Sequence, residues 1–274
     1  MTAARSVSVI VTAHNNGAVL SKTLQSVEQA IAFWRTSGGA SSQHAAEVMI
    51  VDDGSTDNTA SVIQDWIQAH GSYQVIGRLT PSSPSCARNV GAAAARGDLL
   101  FFLDGDDLFL PPHIAHCCRA MNDPAVQFVK TGVRLADPVH PDWRPRIEHS
   151  IVINLCVRRR CHVAIGGFPD YHLFTRTGDA FHPVCDLFYK FEDMYYNQLL
   201  AAMYPGVRIV EETVQYVRYP GNAYDRQYEK FIRPFGAYRE EQSTDHRFRL
   251  RLCDVIFEEH LRCLTARGQV GTSR

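Results

Sequence analysis

Apolar residues fall along the chain in two kinds of run, and the two kinds alternate. Short, nearly unbroken runs at Val7–Thr12 (VSVIVT), Val48–Val51 (VMIV), Tyr73–Ile76 and Leu99–Leu103 (LLFFL) have the length and the β-branched or aromatic content of strands. Leu99–Leu103 has no polar position at all, which points to a strand covered on both faces in the middle of a parallel sheet. Between these runs, Leu20, Leu24, Val27, Ile31 and Trp34 recur at spacings of three and four and predict one apolar face of a helix. Val62, Ile63, Trp66 and Ile67 predict a second. Ser85–Arg96 (SCARNVGAAAAR) predicts a third, built of small residues that can pack closely on a sheet, with Gly97 ending it. Strand, helix, strand, helix, strand, helix, strand is the order of a doubly wound α/β sheet.

The second half is more mixed. Pro111 and Pro112 open a predicted helix running through Met121, and Val126–Thr131 and Ile151–Val157 read as further strands. Val139–Pro145 is Pro-rich and is expected as an irregular surface loop. A helix is predicted from Glu192-Asp193 through Met203, strands at Val207–Val210 and Val214–Tyr219, and helical structure from Tyr224 to Leu264. No internal repeat and no low-complexity linker marks a domain boundary.

The polar residues gain meaning from where they fall. Three predicted strands run into polar loops carrying His14 and Asn15, then Asp52 and Asp53, then Asp104 and Asp106. Open α/β sheets bind ligands beyond the carboxyl ends of their strands. Convergence of three such clusters makes a site for a nucleotide and a metal; scattered loop acids are the bland alternative. Asp104 and Asp106 are two apart and can turn to one side as the chain leaves the sheet. Crowded carboxylates repel each other, and hard oxygen ligands suit Mg²⁺ or Mn²⁺. A polar turn capping the following helix, with Asp107 near its start, is the other reading of the same residues.

Composition narrows the class without naming a chemistry. Of 274 residues, 45% are hydrophobic and 21% charged, and the net charge is −1, so no global field draws the chain to nucleic acid or to a membrane. The eight cysteines, among them adjacent Cys117 and Cys118, show no CxxC spacing and are expected as reduced thiols in a cytoplasmic protein. The N-terminal apolar run is too short for a signal-peptide core, and no run is long enough for a transmembrane segment. Peripheral contact with a membrane stays open. Arg158–Arg160 is expected as a solvated charge run, with a phosphate or an anionic lipid as the alternative. The terminal helix around Phe248, Leu252 and Ile256 is expected to pack back on the domain.

Taken together and in order, VSVIVTAHN (Val7–Asn15), VMIVDDGST (Val48–Thr56), ARNVGAAAARG (Ala87–Gly97), FFLDGDD (Phe101–Asp107), Gly166-Gly167-Phe168 and Glu192-Asp193 resemble the inverting glycosyltransferases of family 2. The resemblance implies a GT-A (Rossmann-like), mostly parallel central sheet flanked by helices, with a helical C-terminal extension. The glycosyltransferase domain would span 1–220, with a nucleotide-sugar half at about 1–110 and an acceptor half at about 111–220, and 221–274 would pack on it. It further implies a nucleotide-diphosphate sugar donor, commonly a UDP-sugar, Mg²⁺ or Mn²⁺, and a hydroxyl acceptor on a glycan, a lipid-linked carrier or another molecule.

Roles follow from the same resemblance. Thr12 and His14, the latter at a position where the family often has tyrosine, would line the base pocket beside Asn15. Asp53 would accept from a base N–H, with Asp52 supporting the turn. Arg88 would meet the diphosphate or brace the acidic motif, and Gly167 would belong to the donor site. Asp104 would face the ribose or the metal, Asp106 would be the direct metal ligand, and Asp107 a weaker candidate. Asp193, beside Glu192, would be the general base. The long gap between Gly167 and Glu192 holds Asp179 and Asp186 as rival bases, and Tyr171, Phe174, Phe181, His182 and Phe188 as an acceptor wall or a local core. In Tyr219–Arg226 a proline, Pro220, stands where the family often carries histidine, leaving Arg218 and Arg226 as diphosphate contacts. A nucleotide-sugar-binding protein without transferase activity and a sugar-phosphate nucleotidylyltransferase are the alternatives. The second would want a Gly-rich phosphate loop after the first strand, where this chain has AHNNG.

Overall fold

The computed structural model describes residues 6–37, 45–70, 73–78, 83–135, 140–169, 192–218, 228 and 257–266. Its strands are β1 (Ser6–Ala13), β2 (Ala45–Asp53), β3 (Tyr73–Arg78), β4 (Leu99–Asp104), β5 (Leu108–Phe109), β6 (Phe128–Leu135), β7 (Leu155–Arg158) and β8 (Gly206–Tyr216). The helices are α1 (Leu20–Thr36), α2 (Thr59–His70), α3 (Pro84–Ala94), α4 (His113–Ala120), α5 (Trp143–Ser150), α6 (Arg159–Ala164) and α7 (Glu192–Met203). All eight strands form one sheet, in the order β3-β2-β1-β4-β7-β6-β8-β5.

The first four strands are mutually parallel, as the alternation of strand and helix requires. Their side chains divide by parity between two cores. Val9, Val11, Phe101 and Leu103 meet Leu24, Val27 and Trp34 of α1 on one face. Ile10, Met49 and Phe102 meet Ala87 of α3 and Tyr196 of α7 on the other. The β4 residues Leu99–Leu103 are each at most 1% exposed, so the strand is covered on both sides as its composition demands. The small residues of α3 also have a reason: a Cβ on Gly91 would lie 2.5 Å from a methyl carbon of Ile10. That helix ends at Ala94, before Gly97, because Gly97 is held against β1, where a Cβ would come 2.6 Å from the Ser8 nitrogen.

Beyond β4 the pairing changes sign. β7 enters antiparallel to both β4 and β6, and β8 pairs parallel with β6. Here several expectations need correction. The segment expected as an irregular loop ending at Pro145 contains the start of α5; Pro145 sits in its first turn, where a missing N–H costs no helical bond. β7 begins at Leu155 because Ile151 is the extended C-cap of α5 and Asn154 turns inward, its amide donating to the Thr131 carbonyl at 2.7 Å. Val207–Val210 and the first part of the run expected at Val214–Tyr219 belong to one strand, β8, which ends at Tyr216 and whose register slips opposite Gly132; Tyr219 lies outside the described residues. A bulge of this kind adds residues on one strand only, which breaks the period-two pattern in the sequence.

Arg158 is not part of a solvated charge run. Its guanidinium donates to the carbonyls of Val126, Met121 and Asp123, capping the end of α4, whereas Arg159 and Arg160 are exposed. The stretch 257–266 is helical and meets α7, with Tyr195 and His260 sharing a 2.9 Å hydrogen bond. Asp179, Asp186, Tyr171, Phe174, Phe181, His182, Phe188, Pro220, Arg226, Phe248, Leu252 and Ile256 lie outside the described residues.

Candidate active site

Parallel register brings the ends of β1, β2 and β4 side by side: Thr12 pairs with Asp104, and Ala13 with Asp52. The loops that follow are tied to one another. Asn15, in the left-handed region at φ 54°, offers its side-chain oxygen to the N–H groups of Thr56 (2.8 Å) and Asp57 (3.3 Å). Its own N–H donates to Ser55 Oγ at 2.9 Å. Asp52 holds the turn by accepting from the Ser55 N–H (3.0 Å) and hydroxyl (2.6 Å). His14 is exposed, its Nδ1 lies 3.0 Å from the Asp53 carbonyl oxygen, and Asp53 itself is buried. Asn15 therefore spends its carboxamide on loop architecture, whereas the His14 ring faces solvent beside Asp53.

Arg88 is the centre of the arrangement. It projects from α3 and is 3% exposed. One end of its guanidinium donates to Asp104 Oδ1 and the other to Asp193 Oδ1, both at 2.7 Å. Thr12 Oγ1 donates to the same Asp104 oxygen at 3.2 Å. Thr12, Asp104, Arg88 and Asp193 thus form one chain from the strand ends to the first turn of α7. The fork geometry of arginine suits two carboxylates at once. Burial opposes the charge on Arg88, but Asp104 and Asp193 outweigh it and hold its pKa above the ordinary arginine value.

The α7 pair is strongly perturbed. Burial pushes the Glu192 carboxyl up to about 8, with the neighbouring Asp193 charge adding to the rise and Arg88 opposing it. Asp193 is raised above its ordinary value by burial, an effect that Arg88 and Lys130 moderate. Glu192 is therefore largely protonated at neutral pH, whereas the 2.7 Å ion pair with Arg88 favours the charged form of Asp193. Asp107 is occupied elsewhere: it is 2% exposed, and its Oδ1 accepts from the Val217 N–H at 2.8 Å, pinning the end of β8. Burial, reinforced by the Asp106 and Asp104 charges, raises its pKa well above the ordinary aspartate value. That leaves Asp104 and Asp106, both half-buried, as the acidic pair facing the strand ends.

Phe168 backs Arg88 and is itself held by Asn89 and Tyr196, neither of which was given a role from the sequence. Asn89 exchanges a pair of 2.8 Å hydrogen bonds with the backbone of Phe168, donating to its carbonyl and accepting from its N–H. The Phe168 ring stacks on Tyr196 of α7 at 4.0 Å and lies 5.4 Å from the Arg88 guanidinium carbon. Tyr196 shares a 2.8 Å hydrogen bond with His162, whose pKa burial lowers to about 4, so the imidazole is neutral. Gly167 belongs to this backing: at φ 77° a Cβ would meet Asn89 Oδ1 at 2.6 Å and His162 Nε2 at 3.4 Å. No sequence signal marks Asn89 as the partner of Phe168, because the two are 79 residues apart.

The model of the family described as "Glycosyl transferase family 2" matches residues 8–183, and the chain belongs to that family. Among curated relatives, a glycosyltransferase of Haemophilus influenzae is 38% identical over 61 residues, covering 22% of this chain and 24% of its own length. The succinoglycan biosynthesis protein ExoU of Rhizobium meliloti is 40% identical over 67 residues, covering 24% and 20%. The matched stretches therefore span no more than about a quarter of either relative. Among solved structures, the mannosyltransferase PcManGT of Pyrobaculum calidifontis, in complex with GDP-Man and Mn²⁺, superposes with a TM-score of 0.61 at 17% identity, covering 97% of this chain and 74% of that one. TarS 1-349 of S. aureus, in complex with UDP-GlcNAc, superposes with a TM-score of 0.58 at 18% identity, covering 79% and 60%. These likenesses establish the GT-A fold. Among the described residues, no helix is long and apolar enough to cross a membrane.

Proposed function

We propose that this chain is a glycosyltransferase that moves a sugar from a nucleotide-diphosphate donor to an acceptor hydroxyl by a single inverting displacement. The observation that carries the reading is the buried Arg88, which joins Asp104 at the strand ends to Asp193 at the start of α7. Donor-side and acceptor-side carboxylates are thereby held in fixed relation, as in-line attack requires. Asp193 takes the acceptor proton as the hydroxyl attacks the anomeric carbon, and Glu192, carrying its own proton, leaves Asp193 as the ionised member of the pair. Asp53, whose backbone carbonyl meets the His14 ring, reads the base, and Thr12 fixes Asp104.

Among the described residues no group of three or more His, Cys, Asp or Glu side chains is placed to hold a metal. Mg²⁺ asks for less, since one or two carboxylates together with substrate phosphates suffice. Asp106 and Asp104 match that donor set: both are hard oxygen ligands, and only one Asp104 oxygen is engaged by Arg88 and Thr12. A divalent cation held there supplies charge stabilisation for the departing diphosphate. A UDP-sugar is the donor we favour, given the UDP-GlcNAc bound to TarS; the GDP-Man bound to PcManGT makes a guanosine donor the competing reading.

The deciding experiment measures nucleoside diphosphate release from UDP-glucose, UDP-galactose, UDP-N-acetylglucosamine and GDP-mannose with Mn²⁺, water standing in for the acceptor. Release from a uridine donor is expected; no release from any of the four overturns the reading. Asp106→Ala is expected to abolish the Mn²⁺-dependent part of UDP binding in calorimetry, and unchanged metal-dependent affinity would remove Asp106 from the site. Asp53→Ala is expected to stay folded and to lose discrimination between UDP and GDP. Should UDP still outcompete GDP as in the unaltered protein, Asp53 does not read the base.

A further inference from the structure

The end of α5 is fastened to α7 by side chains that the reaction described above does not use. The last carbonyls of a helix have no partner within it. Here Lys130 of β6 donates from Nζ to the carbonyls of His149 (3.1 Å) and Ile151 (2.7 Å). Asn197 of α7 shares its side-chain N–H groups among the carbonyls of His149 (3.0 Å), Ser150 (2.9 Å) and Ile151 (3.2 Å). Burial lowers the Lys130 pKa to about 7, with Asp193 and Glu148 opposing the fall, and the charge it keeps near neutral pH matches the helix dipole at this end. Asn197 follows Asp193 by one helical turn, so the two side chains leave α7 on the same face. The contact that caps α5 therefore holds the turn that bears Asp193.

We propose that Lys130 and Asn197 are positioning residues for Asp193, locking the first turns of α7 against α5 and β6. The inference rests on the reading of Asp193 as the general base. Electrostatics runs the same way. The groups facing Asp193 are Arg88 of α3, Asp104 of β4, its neighbour Glu192 and Lys130 of β6. Lys130 in turn faces Asp193 and Glu148 of α5. Glu148 is itself paired with Arg208, and its backbone carbonyl accepts from Asn154, so α5 is a fixed anchor for the clamp. An apolar side chain at position 130 loses the hold on the α5 carbonyls and the part of the Lys130 charge that moderates Asp193.

The test is a double-mutant cycle on diphosphate release from whichever of the four sugar nucleotides above is turned over fastest. Lys130→Met and Asn197→Ala are each expected to lower kcat by about 10- to 100-fold with the donor KM within about twofold, as for a misplaced base. Lys130→Arg is expected to restore most of kcat, since it keeps the charge and can donate to the same carbonyls. In an Asp193→Asn background, Lys130→Met is expected to cause no further loss, because residues acting as a unit are not additive. Unchanged kcat in both single variants overturns the positioning role. So does a loss that multiplies with that of Asp193→Asn, or a Lys130→Arg protein of normal melting temperature that stays inactive. Asn197→Ala carries the same cycle if Lys130→Met does not fold. If Asp193→Asn alone keeps full turnover, the base assignment falls and the positioning role with it. If Asp193→Asn is impaired and the clamp variants are not, only the positioning role falls.

Discussion

Replacing Arg88 by methionine is expected to destabilise the fold by about 3 kcal/mol, near the lower end of the cost of breaking a buried ion pair. The physical reason is the company it leaves behind. Asp104 and Asp193 both point at one guanidinium, and without it two carboxylates face each other in a partly desolvated space. Their side chains keep 34% and 24% of their exposure, so water recovers some of the loss, which sets the lower end of the range. Catalysis is expected to suffer more, by at least about 10²-fold, because Asp104 and Asp193 both lose their fixed positions. Urea unfolding and diphosphate release measure the two effects separately. Arg88→Lys keeps the charge and loses the fork, so it is expected to regain part of the stability and little of the activity. An unchanged urea midpoint in Arg88→Met would mean that the bridge does not hold the two halves together.

The second large effect is expected for Asp193→Asn. Asparagine keeps the shape and the acceptor oxygen facing Arg88 but cannot take a proton. Turnover is expected to fall by about 10²–10⁴ while donor affinity survives. The pH profile of the unaltered protein gives an independent check. A base works only when unprotonated, so the rate must fall as pH drops through its pKa. Burial places that pKa above the ordinary aspartate value of 3.8. The acid limb should therefore sit above the usual aspartate range and vanish in Asp193→Asn. Normal turnover in that variant would assign the proton transfer to another group, and a product retaining the donor's anomeric configuration would end the single-displacement mechanism outright.

Much of the first half of the chain was legible in the sequence because its strands are buried on both faces. Full burial demands continuous apolar runs, and β1, β2 and β4 supply them at Val7–Thr12, Val48–Val51 and Leu99–Leu103. Parallel pairing then places every strand end on one side, so His14, Asp53 and Asp104 had to meet once the order was known. The later half was harder. α5 is short and polar, and its end is set by Lys130, Asn197 and Asn154, which come from three other parts of the chain. The slip in β8 depends on Gly132 of a neighbouring strand, where a Cβ would stand 2.5 Å from the Val210 carbonyl oxygen. Neither feature leaves a local period to read.

The candidate site divides along the same line. Residue types and their order determined that carboxylates gather at the strand ends and that an acidic pair opens a late helix, because local patterning decides which residues leave a strand or start a helix. Only the tertiary structure decided what those carboxylates touch. Arg88 reaches Asp104, 16 residues away, and Asp193, 105 residues away, in a single grip. Asp107, next to the acidic pair in sequence, is withdrawn from it by the Val217 N–H, 110 residues on. A charge buried among distant partners takes its role from where the packing of sheet and helices places it, and that placement has no local record in the chain.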